Sequence, residues 1–433
     1  MDPKSETHIR LNSRLLPVLV VVLLVVQIVS PYDGWIILLA GLGGLWLVSY
    51  LWVRSLAGQL FLRREMRFGW AQVGDRLEER FTVINRSWLP VLWIEVVDHS
   101  TLPGYQISRV TGLESNSKTR WQTQGICTRR GLFTLGPASL RTADPFGIYT
   151  LQTSTTKTIN LMVTPPIVPL PAIEVAPGGR TGEGHPRPDA PERTVGASGV
   201  REYLPGESLR WIHWRTSARR DELFVRLFEG TPAGDWWIIL DQDQQVQAGE
   251  GQVSTEEHGV ILAASLADRG LSGKRAVGLV TNSQHPAWLP PREGDGQRWE
   301  ILRALALVLP ADRPLAELLV RMKPTFGRNA SLIMITSNTH PEWIEQLLPL
   351  LWTGAIPTVL LLDPASYGGR GEVRPMLSLL SELGIRNYAI TCDLLDRPEA
   401  RPGQKGRWEW RVSPFGRAVP VSQPVDQSWK EVR

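Results

Sequence analysis

Two apolar runs near the amino terminus constrain this 433-residue chain more than any other feature. Residues 15–30 read LLPVLVVVLLVVQIVS and residues 35–53 read WIILLAGLGGLWLVSYLWV, and neither run contains a charged side chain. A helix needs about 20 apolar residues to cross a bilayer, and each run approaches that length. The PYDG segment between them has room only for a tight turn. We therefore predict a transmembrane helical hairpin over residues 15–53 rather than a cleaved signal peptide.

The charges that flank the hairpin predict its orientation. Arginine and lysine lie on both outer sides, whereas the connecting turn carries only Asp33; the basic residues are Lys4, Arg10 and Arg14 before the hairpin and Arg54, Arg63, Arg64 and Arg67 after it. Positively charged flanks stay in the cytoplasm. We expect a protein of the cell (inner, cytoplasmic) membrane with both termini and the soluble domains cytoplasmic. Residues 1–14 form a tail and residues 54–69 a juxtamembrane connector.

Length and composition narrow the class of protein. A chain of 433 residues exceeds one ordinary core, so at least two soluble domains are expected. The net charge of +4 is mild and is weak evidence for nucleic-acid binding. Cys127 and Cys392 are the two cysteines and form no CxxC pair, so neither a disulfide framework nor a zinc site is expected.

The soluble part contains two kinds of pattern. Residues 70–165 alternate apolar and polar side chains in short runs, which predicts a β-sandwich-like domain, and the DPFG segment at 144–147 is typical of a turn. Residues 166–198 are rich in proline and glycine and predict a linker or an extended wrapping segment.

Apolar strands alternate with amphipathic helices over residues 231–395, which predicts a doubly wound α/β domain with a parallel sheet. The first of its helices is expected to end at Gly270. No GxGxxG or GxxxxGK[ST] motif is present, so nucleotide sites of those kinds are disfavoured. Residues 396–433 form a C-terminal tail.

An acidic pair follows the first strand of this domain. Asp241 and Asp243, with Gln245, could hold a hard cation such as Mg²⁺. The arrangement resembles the DxSxS metal motif of von Willebrand factor type A domains, but Asp243 and Gln245 replace both serines. Thr336-Ser337 stands where that fold offers an acid, and the loop after LVTNS supplies no clear third ligand. We therefore expect magnesium binding to be weak or absent, and no cofactor.

Residues 199–230, GVREYLPGESLRWIHWRTSARRDELFVRLFEG, join the linker to the α/β domain. The block resembles the signature of the family called domain of unknown function 58, and the paired apolar runs and the DPFG segment match it too. The positions that carry the resemblance are Gly199, Arg201, Tyr203, Gly206, Glu207, Arg210, Ile212, Trp214, Ser217, Ala218, Arg219 and Glu229. The resemblance implies a von Willebrand type A-like domain on a membrane hairpin. It also implies a MoxR-type AAA+ ATPase as partner, because such ATPases are often encoded beside these proteins.

The chemistry of the block leaves several interpretations open. The spacing predicts a helix from Glu207 that places Trp211, Trp214, Arg215 and Ala218 on one stripe, followed by a strand over ELFVRLFE. In a structural brace, Trp214 is buried and Arg219 forms an ion pair with Glu207 or Glu229, while Arg215 and Arg220 are more exposed. In a docking site, the same residues bind a protein partner. Two further readings are catalysis by His213 and nucleic-acid binding by the arginines of residues 201–220.

The prediction that we adopt is a non-enzymatic, membrane-anchored scaffold or adaptor. Its α/β domain binds a protein partner, for which a MoxR-type ATPase is the leading candidate, and no nucleic acid. The alternatives are a nucleic-acid-binding membrane protein that uses residues 201–220, and a hydrolase that uses His213 or a metal at Asp241 and Asp243. Interspersed acids such as Glu202 and Glu222 weaken the first alternative, and the second lacks a visible Ser/His/Asp or Cys/His pattern.

Overall fold

The computed structural model describes most of the chain. The described residues are 6–66, 69–105, 107–155, 157–170, 173–176, 193–203, 212–220, 222–230, 235–323 and 330–393, with short segments at 404–405, 409–412, 418–422, 425–426 and 430–431. The chain divides into two compact units. The first comprises residues 1–164, 399–411 and 419–433, and the second comprises residues 165–398 and 412–418.

Two apolar helices open the first unit. Helix α1 spans Leu15–Val29 and helix α2 spans Asp33–Leu56. Of the helices in the described part, α2 alone is long and apolar enough to cross a membrane, and it lies near the amino terminus. Helix α1 is apolar but has 15 residues. The second helix extends past the predicted boundary at residue 53 because Val53 and Leu56 are buried in the core of the β-domain.

In the described residues, the rest of the first unit is all-β, as the alternating pattern predicts. Its strands are β1 Glu6–Leu11, β2 Leu60–Met66, β3 Trp70–Gln72, β4 Arg76–Asn85, β5 Val91–Asp98, β6 Arg109–Leu113, β7 Lys118–Ile126, β8 Gly131–Leu135, β9 Ala138–Ala143, β10 Tyr149–Ser154 and β11 Ile159–Thr164. One sheet has the order β1-β10-β9-β5-β6, and a second runs β2-β4-β7. A third has the order β3-β11-β8. Side chains from all three sheets share one core, which includes Phe81, Val96 and Leu161.

Two strands of this domain lie outside its predicted boundaries. Strand β1 falls in the expected tail and pairs antiparallel with β10, and β2 falls in the expected connector and pairs with β4. The hairpin α1–α2 is therefore inserted between two strands of one domain. Arg64 of β2 is likewise not a flanking surface charge, because its side chain is buried in the domain.

A buried polar cluster joins three strands of the β-domain. Arg64 donates from Nε and Nη2 to the two carboxylate oxygens of Glu79, each at 2.6 Å, and from Nη1 to Asp98 at 3.2 Å. Tyr105 donates its hydroxyl to Glu79. Burial alone would lower the pKa of Arg64, but the hydrogen bond and charge of Glu79 outweigh it, so the pKa is raised. Burial, followed by the Glu79 charge, raises the pKa of Tyr105.

The second unit contains the α/β domain. Its elements are β12 Arg193–Glu202, α3 Trp214–Arg220, β13 Phe224–Gly230, β14 Trp236–Leu240, β15 Gly249–Glu250, β16 Val253–Ser254, α4 Thr255–Ser272, β17 Val277–Thr281, β18 Trp288–Arg292, α5 Asp295–Ala306, α6 Leu315–Met322, β19 Ser331–Thr336, α7 Ile344–Trp352, β20 Ile356–Leu362, α8 Val373–Glu382 and β21 Arg386–Ile390. Short strands follow later in the chain, at Gln404–Lys405, Glu409–Val412, Ala418–Ser422, Val425–Asp426 and Lys430–Glu431, and most of their residues belong to the first unit. The last of these pairs with β2 within the first unit.

The predicted doubly wound sheet is present. Its strand order is β18-β17-β14-β19-β20-β21, parallel except for the antiparallel edge strand β18. Trp236, Ile238 and Leu240 face a core that includes helices α4 and α5. Trp237 and Ile239 face a second core formed with α6, α7 and α8. Both faces are covered, which explains why these strands are apolar throughout.

Three local predictions for this unit need correction or refinement. Helix α4 does not end at Gly270 but continues to Ser272, because Gly270 serves close packing: a Cβ there would lie 2.8 Å from the Trp236 ring. Residues 193–198 are not linker but part of β12. The start of the same segment does wrap the domain, since Val168 and Ile173 are buried in its core.

Candidate functional site

The described residues of the signature block include a two-stranded sheet and a short helix. Strands β12 and β13 pair antiparallel, and helix α3 precedes β13. The Ser217 hydroxyl is buried, donates to the His213 carbonyl at 3.2 Å and accepts from the Phe224 amide at 2.9 Å. The His213 amide donates to the Phe224 carbonyl at 2.7 Å. These bonds hold the helix against the beginning of the strand.

The outer face of helix α3 is aromatic and basic. Trp214 is 66% exposed, and the other outward-facing positions are also exposed, namely Arg215, Ala218, Arg219 and Arg220. The expected exposure of Arg215 and Arg220 is confirmed. The expected burial of Trp214 is wrong, because the helix begins at Trp214 and turns Ser217 toward the strand instead.

The remaining signature positions are placed only in part. Arg201 and Glu229 lie on β12 and β13, and Tyr203 follows β12, with its amide donating to the Leu223 carbonyl at 2.7 Å. Gly206, Glu207 and Arg210 lie outside the described residues, as does Trp211. The predicted ion pair of Arg219 with Glu207 or Glu229 therefore stays a prediction.

His213 caps the helix that follows it. Its Nδ1 lies 2.7 Å from the Thr216 hydroxyl and 3.3 Å from the Thr216 amide, which donates to it. A side chain that accepts an amide at the start of a helix is acting as an N-cap. A general base needs an orienting acid and a nucleophile within reach, and the hydrogen bonds of the His213 ring instead go to Thr216. The contacts of this histidine favour a structural role.

The acidic pair lies where the sheet topology predicts, at the carboxyl edge of β14. Asp241 is buried and accepts three hydrogen bonds: from Asn282 Nδ2 at 2.7 Å, from the Thr336 hydroxyl at 2.6 Å and from the Asp243 amide at 3.1 Å. Asp243 in turn accepts from the Gln245 amide at 3.1 Å. Burial raises the pKa of Asp241 to about 6 despite these donors.

Asn282 also belongs to this hydrogen-bonded cluster, and it was not predicted from the sequence. It follows β17 in the LVTNS segment, and its amide nitrogen faces Asp241 while its oxygen accepts the Gln242 amide at 2.5 Å. The residue after a parallel strand next to β14 is expected at this edge, so the topology could have identified it. A donor at this position stabilises the carboxylate without a cation. Among the described residues, no group of three His, Cys, Asp or Glu side chains could hold a metal ion.

We predict that Mg²⁺ and Mn²⁺ bind weakly or not at all to this edge. Hard cations take six or more oxygen ligands, whereas the Asp241 oxygens already accept bonds from Asn282, Thr336 and a backbone amide. Isothermal titration of the full chain with each cation measures this directly. The variant Asp241→Ala removes one of the two acids at this edge, and Asp363→Ala, which changes a half-buried aspartate in another loop of the domain, is the control. Tight binding of about one ion per chain that Asp241→Ala loses and Asp363→Ala retains would contradict the prediction.

Comparison with known proteins supports the family resemblance over part of the chain. Residues 199–366 match the family described as Protein of unknown function DUF58, and this range begins at the first residue of the signature block. A 111-residue segment is 28% identical to "Uncharacterized protein YeaD" of Bacillus subtilis and covers 26% of either chain. A 170-residue segment, 38% of this chain, is 22% identical to "Uncharacterized protein Rv1480" of Mycobacterium tuberculosis.

Each match covers only part of this chain and only part of the relative. The chain spans about a quarter of the Bacillus protein and about half of the mycobacterial one (26% and 54%). Among solved structures, a CARDB domain from Pyrococcus furiosus is 11% identical, with 24% of this chain and 86% of that chain covered. Its TM-score of 0.18 is too low to support an argument about the fold.

Proposed function

We propose that this protein is a membrane-anchored, non-enzymatic scaffold or adaptor, and that its α/β domain binds a protein partner through the exposed face of helix α3. The anchor is the α1–α2 hairpin in the cytoplasmic membrane, with the soluble domains in the cytoplasm. Three groups of observations support this proposal.

The connectivity of the β-domain supports two membrane spans. Strand β1 precedes α1 and strand β2 follows α2, and both belong to the first unit. The two ends of the hairpin must therefore be on the same side of the membrane. If α2 crosses the bilayer, α1 has to cross it as well. The exposed bases Arg10, Arg14 and Arg54 on these two ends favour the cytoplasmic side.

The sheet supports a von Willebrand type A-like interpretation of the α/β domain. The order β18-β17-β14-β19-β20-β21 places the first strand of the sheet in its centre and covers both faces with helices. Asp241 and Asp243 follow that central strand, at the edge where doubly wound folds bind ligands. We propose that this edge keeps the acidic pair as a structural hydrogen-bonded cluster.

The observation that carries the binding proposal is the exposure of Trp214. A tryptophan that is 66% exposed beside exposed arginines contributes little to the packing of its own domain. Tryptophan and arginine are the residues that most often dominate the energy of protein–protein interfaces. The face fits a partner with an apolar pocket and carboxylates around it, which Arg215 and Arg219 can bind as forks. A MoxR-type AAA+ ATPase is the partner that the family resemblance suggests.

We expect Trp214→Ala to weaken partner binding without unfolding the protein. Removing an interface hot spot costs about 2 kcal/mol or more, or roughly a 30-fold loss of affinity. An exposed residue outside such contacts changes stability by about 0.5 kcal/mol or less. The measurement is binding of the full chain in nanodiscs to the purified MoxR-type ATPase of the same cell, with the melting temperature measured in parallel.

Trp352→Ala is the matched control, because Trp352 ends helix α7 of the same unit and is 83% exposed. It should leave affinity unchanged. Equal binding by the Trp214→Ala variant and the natural chain would refute the docking face. A large drop in melting temperature with Trp214→Ala would instead restore the structural brace.

Two alternatives receive less support. Arginines beside an exposed tryptophan can also bind single-stranded nucleic acid, but the exposed acid Glu222 follows the helix and reduces the positive charge. Binding to an oligonucleotide with a steep dependence on salt would favour this alternative. A hydrolase that uses His213 or a metal at Asp241 is less favoured, because these side chains already bond to Thr216 and Asn282.

A further inference from the structure

The turn at residues 144–147 is built rigidly and yet exposes a phenylalanine. Asp144 is buried and accepts from the Phe146 amide at 2.9 Å and the Tyr149 amide at 2.6 Å, while the Gly147 amide donates to its carbonyl at 3.1 Å. These bonds confirm the turn predicted from the DPFG segment. The Phe146 side chain at its tip is 58% exposed. The β-domain therefore presents this ring without packing it.

Backbone and side-chain bonds place this turn beside the start of helix α1. The Asn12 amide donates to the Ile148 carbonyl at 2.8 Å, and Asn12 Nδ2 donates to the Gly147 carbonyl at 3.3 Å. Helix α1 begins three residues later, at Leu15. The turn thus lies at the level where the first apolar helix starts.

Contacts of the second helix independently place the turn at the same position along the hairpin. Trp46 of α2 donates from Nε1 to the Tyr149 hydroxyl at 2.7 Å, and the Tyr50 ring packs edge-to-face on Tyr149 at 5.7 Å. The neighbouring apolar side chains of α2 remain exposed: Leu47 58%, Val48 51% and Leu51 53%. The turn therefore adjoins a part of α2 whose outer surface is still apolar.

We infer that Phe146 inserts into the interfacial region of the cytoplasmic leaflet, so that the β-domain contacts the bilayer directly through the 144–147 turn. The inference rests on the proposed membrane hairpin and adds a lipid contact outside it. Two observations identify lipid as the occupant. The exposed apolar surface of α2 is continuous with the level of the turn, and the exposed bases Arg10 and Arg14 on the adjoining segment suit anionic headgroups. Aromatic side chains are enriched at this depth of a membrane.

The test uses a fluorescent nitrobenzoxadiazole label on single cysteines, in the full chain reconstituted into phosphatidylcholine–phosphatidylglycerol vesicles with spin-labelled lipids. Cys392 is replaced by serine. Burial raises the pKa of Cys127 to about 12, so this thiol is expected to stay unlabelled. The labelled variants are Phe146→Cys, Val22→Cys in α1 and Leu132→Cys on β8. Leu132 is 51% exposed and lies on a strand that pairs with β11, not with β1 or β10.

We expect the label at residue 146 to lose most of its emission with lipids spin-labelled near the headgroup, and the label at residue 132 to be unaffected. The label at residue 22 should be quenched most by lipids spin-labelled deep in the acyl chain. Equal quenching of the labels at residues 146 and 132, together with quenching of the label at residue 22, overturns the lipid contact and leaves the anchor intact. An unquenched residue 22 overturns both the anchor and the inference.

Discussion

Replacing Glu79 with alanine is expected to destabilise the β-domain by about 3–5 kcal/mol, since breaking a buried ion pair leaves an uncompensated charge. Glu79 is fully buried and binds Arg64 through both oxygens at 2.6 Å. Its removal leaves the Arg64 guanidinium with Asp98 as its remaining carboxylate partner among the described contacts. The Tyr105 hydroxyl also loses its carboxylate acceptor.

Hydrogen exchange of the full chain measures this loss without requiring the two units to unfold together. Amides of β4 and β7 should exchange much faster in Glu79→Ala. The exposed Glu114→Ala is the control and should change stability by about 0.5 kcal/mol or less. If the amides of β4 and β7 exchange no faster in Glu79→Ala than in the natural chain, the cluster does not stabilise the fold. A paired Arg64→Met and Glu79→Met change should not recover the loss, because it leaves the buried carboxylate of Asp98 without its cation.

The stability of the α/β domain is expected to fall by about 3 kcal/mol as the pH rises from about 3 to about 7. Burial raises the pKa of Asp241 to about 6 from its ordinary value of 3.8. Between these values the folded chain holds a proton that the unfolded chain has released, so the free energy of unfolding decreases with rising pH. Above the folded pKa this contribution is constant.

Asp241→Asn should remove this pH dependence, because asparagine resembles the protonated acid: it can donate to Thr336 and still accept from Asn282. Urea denaturation across about pH 3–8, followed by circular dichroism, provides the comparison. Asp363→Asn, directly after strand β20 of the same sheet, is the control and should retain the slope. An unchanged slope in Asp241→Asn would show that another group is responsible.

The large elements could be predicted because their patterns are strong. Two charge-free runs became α1 and α2, and apolar strands buried on both faces became the parallel sheet. The edge strand β18 was missed because its sequence, WLPPR, contains two prolines, which edge positions tolerate. Strand β1 was missed because its partner β10 lies more than a hundred residues away in the sequence.

The site was harder to predict than the fold. The position of Asp241 follows from strand topology, but its partners depend on which side chains of three loops meet. Helix α3 shows the same limit: the spacing of Trp214 and Ala218 fits a buried stripe, yet the helix starts late enough to bury Ser217 and expose Trp214. A shift in helix start changes which face is buried, and short helices carry too few residues to fix it by periodicity.

The insertion of the hairpin between β1 and β2 has a practical consequence for making soluble fragments. A fragment that begins after α2 lacks β1. One edge of β10, along residues 149–154, then has no strand to pair with. It also loses Val53 and Leu56 from the core. An uncovered strand edge is a template for pairing with other chains. Such fragments should aggregate, whereas a chain in which a short loop replaces only the part of the hairpin that lies outside the core of the β-domain keeps both the edge strand and the core.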